Sequence, residues 1–346
     1  MKKRRISRNS VFGKVLVITL LIVLAAVAVI GLHQWEKSRD GSEEDYETLS
    51  TEKERQMIRY NGQWYGLKEN IETVLVIGLD KFDELTDKDE YNYNNDRRAD
   101  FLMLLMIDKR TESVSVVHIN RDTMAEINVI GVAGQVISTK KAQLALSFSY
   151  GDGGSLSCRN TMKAVSGYFY DLPIDHYIAV TMDAVGILND AVGGVTVTVM
   201  DDFTDLYPDM RQGASVKLNS EKALAYVRSR SALDNKTNLH RMERQRQYIS
   251  ALLASLREKV RSDKNFSVET LTKINKHMLS DCNVNTLQEV INYTVDYEMK
   301  PIQTIEGESK VGEKFMEFYP DENKFKALIV DIFYEPVDES EVSSPQ

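Results

Sequence analysis

The chain has 346 residues, of which 42% are hydrophobic, and carries a formal net charge of -9 at pH 7. This acidic balance argues against a nucleic-acid-binding protein, which needs an accessible basic face. Two cysteines, Cys158 and Cys282, are too few for a disulfide scaffold, and the sequence leaves open whether they form one bridge or remain two free thiols.

The N-terminus predicts a membrane anchor. Six lysines and arginines precede an uninterrupted apolar run over residues 15–32. The run is long enough to cross a bilayer as a helix, and its basic flank favours a cytoplasmic N-terminus. A cleaved signal peptide is the competing interpretation, because residues 26–28 read Ala-Val-Ala. The apolar run continues beyond them, which favours an uncleaved anchor in the cell membrane, with a single pass and the rest of the chain outside the cytoplasm.

Composition divides the chain into five segments. They are a cytoplasmic tail (1–14), a transmembrane helix (15–32), a charged stalk (33–55), a globular extracytoplasmic domain (56–336) and a polar, disordered tail (337–346). The globular segment is long enough to bury a large single core.

Strand and helix patterns alternate along the globular segment. Apolar runs predict strands at 73–79, 101–107 and 113–119, the last two joined by a hairpin turn. Helical spacing and Pro or Gly breaks predict, in order, a helix at 157–170, a strand at 176–180, a helix at 183–192, a strand at 195–199 and helices at 221–226, 241–260 and 287–295. This alternation indicates an α/β sandwich in which helices flank a mixed central sheet.

Aspartates and arginines stand at the ends of the first three predicted strands. The first strand ends at Asp80, the second follows Arg98 and Asp100, and the third ends at Arg121 and Asp122. Functional residues often gather at strand ends, where a rigid scaffold holds them. Carboxylates such as Asp80 and Asp100 are hard oxygen ligands that suit Mg²⁺ or Mn²⁺.

Five arginines fall between residues 218 and 247 of this acidic chain. The segment AYVRSR, residues 225–230, predicts a strand end whose period of two places Arg228 and Arg230 on one face. Several arginines brought to one place need an anionic partner, and the planar guanidinium group matches phosphate oxygens.

The remaining three arginines stand on the long predicted helix. Its apolar stripe extends backwards to Gln245 and then Arg241, so these two side chains are expected to face inward. Arg244 falls at the edge of this inward face, and Arg246 falls on the exposed side. Together with the aspartates, the inward arginines predict a metal-assisted site for a pyrophosphate.

Two other features favour a structural interpretation. His118 lies on an apolar strand and is predicted to be a packed core residue and not a catalyst. The loop at 151–154, Gly-Asp-Gly-Gly, precedes a helix, but no P-loop lysine follows it, so a simple turn is favoured over a phosphate cradle.

Seven sequence motifs occur in order along the chain: VLVIGLD, RRADFLMLLMID, VVHINRDTM, YGDGG, IDHYIAVTMDAVGILNDAVGGVTVTV, LNSEKALAYVRSR and HRMERQRQYISALL. With these motifs the chain resembles the LytR–CpsA–Psr family of bacterial cell-envelope proteins over nearly all of its length beyond the stalk. The resemblance implies a phosphotransferase that moves a glycopolymer phosphate (teichoic acid, capsule or wall polysaccharide) from undecaprenyl pyrophosphate onto peptidoglycan. It also implies metal-associated aspartates at Asp80 and Asp100, and a pyrophosphate-binding set at Arg98, Arg121, Arg228, Arg230, Arg241 and Gln245.

The mechanism implied by this resemblance is electrostatic. Arg121 and Arg228 would stabilise the charge on the transferred phosphoryl group, assisted by a Mg²⁺ or Mn²⁺ ion. Asp122 either accepts the proton of the attacking hydroxyl or forms an ion pair that holds Arg121 in place. The alternative function is a non-catalytic sensor that binds lipid phosphate with the same arginines and tolerates loss of Asp80 and Asp100.

Overall fold

The computed structural model describes residues 56–80, 95, 97–229, 238–263, 265–313 and 315–338. The predicted cytoplasmic tail, transmembrane helix and stalk lie outside the described residues, and so does Arg230. Among the helices of the described ranges, none combines the length and the apolar character needed to span a bilayer.

The described residues form sixteen strands and seven α-helices. The strands are β1 (Met57–Tyr60), β2 (Gln63–Leu67), β3 (Ile71–Leu79), β4 (Phe101–Asp108), β5 (Ser113–Ile119), β6 (Met124–Ile130), β7 (Val136–Gln143), β8 (His176–Thr181), β9 (Val195–Thr198), β10 (Ser215–Leu218), β11 (Met278–Ser280), β12 (Glu298–Met299), β13 (Gln303–Thr304), β14 (Gly307–Val311), β15 (Met316–Pro320) and β16 (Tyr334–Pro336). The helices are α1 (Ser155–Tyr168), α2 (Met182–Ala191), α3 (Ser220–Arg228), α4 (Leu239–Ser262), α5 (Phe266–Ile274), α6 (Val284–Asp296) and α7 (Glu322–Phe333).

The central sheet has the strand order β11-β8-β3-β4-β5-β12, and β13 also pairs with β5. β3 runs antiparallel to β4 and parallel to β8, so the sheet is mixed. β3 is apolar on both faces and buried along most of its length, as expected for a strand with a layer on each side. The prediction of an α/β fold with a mixed central sheet is confirmed.

Helices cover both faces of this sheet. On one face, Leu75 of β3 belongs to the same buried cluster as Val165 of α1 and Phe325 of α7. On the other face, Val74 of β3 packs in a cluster with Val290 of α6. A third apolar cluster joins β9 and β10 to α2, α3 and α4. This third cluster fixes α3 and α4 to each other, and the candidate site described below uses both helices.

Most predicted elements are present with boundaries shifted by one to three residues, but the predicted strand end at AYVRSR is wrong. Residues 225–228 form the last turn of α3, and extended backbone begins only at the C-cap, Ser229. The helix is favoured because Asn219 caps it by accepting from the Lys222 N–H at 2.9 Å. The strong helix formers of the segment SEKALA outweigh the β-preferring Tyr226 and Val227 that follow them.

The C-terminal end of the described chain lies against the first hairpin. β16 pairs antiparallel with β2, and the N–H of Val337 donates to the carbonyl of Trp64 at 3.1 Å. Val337, the first residue of the predicted disordered tail, is therefore part of the fold. Residues 339–346 lie outside the described residues.

Candidate functional site

Four strand ends meet at one edge of the central sheet. β3, β5 and β8 run in the same direction and β4 runs against them, so the ends of the first three lie beside the start of β4. Asp80 directly follows β3, Asp100 directly precedes β4, and Arg121 stands two residues after β5. The N–H of Asp100 donates to the Gly78 carbonyl at 2.8 Å, which fixes the carboxylate to the end of the β-ladder.

A cavity of about 220 Å³ opens at this edge. Its described lining consists of Asp80, Asp100, Arg121, Met182, Val227, Arg228, Arg241 and Gln245. The structure thus brings together six of the nine predicted site residues. Met182 was not predicted, although it begins α2 directly after β8 and so stands at the same sheet edge as the three strand-end residues.

Two helices form the wall opposite the strand ends. Arg228 is the last residue of α3, and Arg241 and Gln245 stand one turn apart near the start of α4, where four-residue spacing puts them on one face. The Gln245 side chain donates from Nε2 to the Val227 carbonyl at 3.0 Å and so ties the two helices together. Arg241 and Gln245 are both buried, and the predicted inward orientation of these two side chains is confirmed.

Each aspartate of the cavity is paired with an arginine. Arg121 donates from Nη1 to Oδ1 of Asp100, and both side chains are largely buried. Nη2 of Arg228 lies 3.3 Å from Oδ1 of Asp80, and these two side chains are 63% and 55% exposed. An exposed pair of this kind contributes about 0–1 kcal/mol, so a phosphate group can displace Asp80 from Arg228 at small cost.

The hydrogen-bond donors of the cavity favour an anion. Three guanidinium groups and two carboxylates line it among the described residues. Guanidinium groups present paired N–H donors that match phosphate oxygens, and Gln245 adds an amide. The arrangement suits an anion with several oxygen atoms, such as a pyrophosphate.

The same cavity has donors that fit a hard divalent cation. Asp80 and Asp100 place two carboxylates at the ends of adjacent strands, and both line the cavity. Carboxylate oxygens, completed by phosphate oxygens and water, are the ligands that Mg²⁺ takes in phosphoryl-transfer sites. The chemistry of this donor set therefore fits Mg²⁺ or Mn²⁺.

Asp122 lies behind Arg121 and is not among the described lining residues. Its Oδ1 accepts from Nε2 of Gln143 at 2.9 Å and lies 3.6 Å from Nε of Arg121. The residue is buried. Of the two predicted roles for Asp122, this geometry favours the ion pair that holds Arg121 over the proton acceptor.

Two further members of the predicted pyrophosphate set are not in the described lining. The guanidinium of Arg98 lies over the ring of Phe315, with Cζ 5.2 Å from the ring centroid. Arg230 falls outside the described residues.

The predicted positions of Arg244 and Arg246 are wrong. Arg244 is not at the edge of the site but fully buried, where it donates to Asp201, to the Tyr226 carbonyl at 3.1 Å and to the Ser229 carbonyl. Arg246 is half-buried and not exposed, and burial lowers the pKa of its guanidinium. The helix is covered on more than one side, because β9 and α3 contact it and Ile249 packs against the apolar cluster of the central sheet. A single apolar stripe therefore does not describe its buried surface.

Two structural interpretations agree with the fold. His118 is buried, with its ring 4.7 Å from that of Phe101. Burial lowers the pKa of His118 to about 3, and the charges of Arg246 and Arg241 act in the same direction, so the ring is neutral at pH 7. In the loop before α1, Oδ1 of Asp152 accepts from the N–H groups of Gly154 and Leu156 at 2.7 and 3.1 Å. The Asp152 carboxylate therefore accepts from the N–H groups at the start of α1 that a phosphate would have to use.

Comparison with known proteins places the chain in a family. A sequence model of the LytR_cpsA_psr family matches residues 34–327. The polyisoprenyl-teichoic acid–peptidoglycan teichoic acid transferase TagU of Halalkalibacterium halodurans is 31% identical over 156 residues, which cover 45% of this chain and 46% of that protein. The TagU transferase of Enterococcus faecalis is 26% identical over 282 residues, which cover 82% of each chain.

The fold is also found among solved structures. The crystal structure of TagV from B. subtilis aligns with a TM-score of 0.56 at 20% identity, covering 81% of this chain and all of that one. This likeness concerns the fold. The sequence match spans about half the length of the first relative, the TagU of Halalkalibacterium halodurans. Because the family model covers most of the chain, the resemblance seen in its motifs is confirmed: the protein belongs to the LytR_cpsA_psr family.

Proposed function

We propose that this protein is a membrane-anchored phosphotransferase that attaches a glycopolymer, carried on undecaprenyl pyrophosphate, to peptidoglycan through a phosphodiester. The observation that carries the proposal is the cavity at the sheet edge, where Arg121, Arg228, Arg241 and Gln245 face Asp80 and Asp100. Such a cavity suits a pyrophosphate better than it suits a neutral sugar, because its guanidinium groups present paired N–H donors that match phosphate oxygens.

The names of the relatives support the same chemistry. Two of them are named as transferases that act between a polyisoprenyl-linked teichoic acid and peptidoglycan. Teichoic acid is therefore the first polymer to test with this chain, and capsule or wall polysaccharide carried on the same pyrophosphate are the next.

In the proposed reaction, a sugar hydroxyl of peptidoglycan attacks the phosphorus that bears the glycopolymer. The new P–O bond joins the polymer to peptidoglycan, and the bond from the attacked phosphorus to the bridging oxygen of the pyrophosphate breaks, so that this oxygen leaves with the lipid phosphate. The lipid leaves as a monophosphate, and the hydroxyl proton goes to that phosphate or to solvent. Arg121 and Arg228 stabilise charge on the phosphoryl oxygens during this exchange, while Arg241 and Gln245 position the pyrophosphate.

Asp80 and Asp100 are the residues that would hold a Mg²⁺ or Mn²⁺ ion. When bound, the ion would neutralise part of the pyrophosphate charge. In the structure, Arg121 and Arg228 pair with Asp100 and Asp80. Asp122 is assigned the positioning of Arg121 and not proton transfer.

The proposed location is the cell membrane. The apolar run over residues 15–32, behind six basic residues, supports a single-pass anchor with a cytoplasmic N-terminus. In that arrangement residues 56–336 face the outside of the cell, where peptidoglycan is the available acceptor.

The test is incubation of the full chain with Mg²⁺, a polyprenyl-pyrophosphate-linked glycan and peptidoglycan oligomers, followed by mass spectrometry of the product. A new phosphodiester between glycan and oligomer is expected, and Arg121→Ala and Arg228→Ala should abolish it. Arg110→Ala removes an exposed arginine paired with Glu335, and serves as the matched control with full activity. Binding of the lipid-linked glycan without any product would favour the sensor, and full activity of both cavity variants would refute the arginine assignment.

A further inference from the structure

A second group of potential ligands lies at the other end of β8 from the cavity. His176 begins β8, and Asp281 and Cys282 directly follow β11. The two strands are antiparallel with Ser280 opposite Ile178, and this register continued by two residues places Cys282 opposite His176. Met182 follows His176 by six positions along the extended chain, so the group lies about 20 Å from the cavity along the strand.

The three side chains converge. One ligand atom from each of His176, Asp281 and Cys282 lies within 4.8 Å of the other two. Nδ1 of His176 and Oδ1 of Asp281 are 3.6 Å apart. The backbone holds this geometry, because Oδ1 of Asp281 accepts from the N–H of Tyr177 at 2.9 Å and the N–H of Cys282 donates to Oγ of Ser280 at 3.0 Å.

The ligand types select a class of metal. Imidazole, carboxylate and thiolate are the three kinds of protein ligand that Zn²⁺ accepts, usually in a tetrahedral arrangement. Mg²⁺ and Ca²⁺ prefer oxygen ligands alone. The side chains of His176 and Asp281 are 28% and 33% exposed, which leaves room for water as a fourth ligand.

A buried carboxylate adds negative charge near the same place. Glu72 lies on β3 two residues before Val74, and Val74 is paired with His176. Glu72 and His176 therefore share a face of the sheet. Glu72 is 8% exposed, its Oε2 lies 2.8 Å from Nζ of Lys109, and its buried Oε1 has no hydrogen-bond partner among the described residues. A dication beside the Cys282 sulfur would counter the negative charges of Asp281 and Glu72.

We propose that His176, Asp281 and Cys282 bind a zinc ion that joins the start of β8 to the segment leading from β11 into α6. β11 is a three-residue outermost strand of the sheet, so a metal bridge there would add a cross-link to a β-ladder of only three residue pairs. The proposal concerns structural stability. It does not depend on the transferase activity, and either can fail without the other.

The test uses the full chain, purified with reduced thiols, stripped with a chelator and titrated with Co²⁺. One equivalent of Co²⁺ should give a thiolate-to-cobalt charge-transfer band, and Zn²⁺ should displace it. Binding of Co²⁺ to the oxygen ligands Asp80 and Asp100 would give no such band, so the two sites are distinguished. Zn²⁺ should also raise the melting temperature of the stripped protein.

Variants locate the ligands. Cys282→Ser should abolish the band, and His176→Gln should weaken zinc binding by at least about 100-fold, since even the loss of an outer hydrogen-bond partner costs 10–100-fold. Cys158→Ala and His277→Gln remove the other cysteine and another half-exposed histidine, and should leave zinc binding unchanged. Circular dichroism establishes that each variant is folded, and His176→Gln serves as the test if Cys282→Ser is not.

Three outcomes would overturn the proposal. One is the absence of a charge-transfer band from the reduced full chain, and another is a band of equal intensity in Cys282→Ser. The third is a disulfide between Cys158 and Cys282 in a peptide map of the native protein, since that bond would leave no thiolate. Both cysteines are free thiols in the structure.

Discussion

Arg244 and Asp201 form an ion pair inside the fold, with side chains that are 0% and 5% exposed. The same guanidinium donates to the carbonyls of Tyr226 and Ser229, which flank Arg228 at the end of α3. Arg244 thus satisfies the C-terminal carbonyls of one helix from the body of another. Because Arg228 belongs to that last turn, the buried pair fixes where the cavity arginine stands.

Removal of Asp201 should destabilise the domain strongly. Asp201→Ala would leave the Arg244 guanidinium buried without its carboxylate, and the loss of one partner of a buried pair costs about 3–5 kcal/mol. Urea denaturation of the full chain, followed by circular dichroism, measures the free energy of unfolding. Glu335→Ala is the matched control, because it breaks an exposed pair with Arg110, worth about 0–1 kcal/mol. Equal losses in the two variants would contradict the structural role of Arg244.

Arg121→Lys should lower kcat about 100-fold while leaving the fold intact. Lysine keeps the positive charge but loses the planar pair of donors, and the loss of one preorganised donor to a developing anion costs 10²–10³-fold. The glycan-transfer assay gives kcat, and Arg110→Lys, an exposed site, should retain full activity. If Arg121→Lys were as active as the unchanged protein, charge alone would be sufficient at this position.

The sequence predicted the sheet well because its signals are local. β3, β4 and β5 are apolar runs bounded by polar residues, and Asp80, Asp100 and Arg121 could be placed at their ends by counting along the chain. The β6–β7 hairpin was not predicted, because β7 reads VISTKKAQ and its first six residues face solvent. These six residues contain no alternation of buried and exposed positions that would indicate a strand.

The errors in the candidate site come from non-local partners. Nothing near Arg244 in the sequence indicates that Asp201, 43 positions away, neutralises it. Arg98 belongs to the motif RRADFLMLLMID, but its guanidinium lies over the ring of Phe315, which comes from a distant part of the chain. Composition gives the number of arginines available for a site, whereas only tertiary contacts separate those that line the cavity from those that hold the scaffold.

Asp122→Asn should separate a positioning role from proton transfer. Asparagine has the same size, and its side-chain oxygen can still accept from Gln143, but it cannot pair with the charge of Arg121. We expect kcat to fall about tenfold with no change in the pH–rate profile. Loss of a general base would instead cost about 10²–10⁴-fold and remove the acidic limb of the profile. That second result would return Asp122 to the role of proton acceptor.

The buried His118 should make the domain less stable below neutral pH. Its pKa is lowered from 6.5 to about 3 in the folded chain, by burial first and then by Arg246 and Arg241. Between these values the unfolded chain binds a proton that the folded chain does not, so stability falls as pH falls through about 6.5. From pH 7 to pH 5 this group alone should lower the free energy of unfolding by about 2 kcal/mol.

The test is the variant His118→Leu, which removes the titrating group. Between pH 7 and pH 5 its free energy of unfolding should fall by about 2 kcal/mol less than that of the unchanged protein. Parallel pH dependences for His118→Leu and the unchanged protein would mean that the pKa of His118 is not lowered in the folded state.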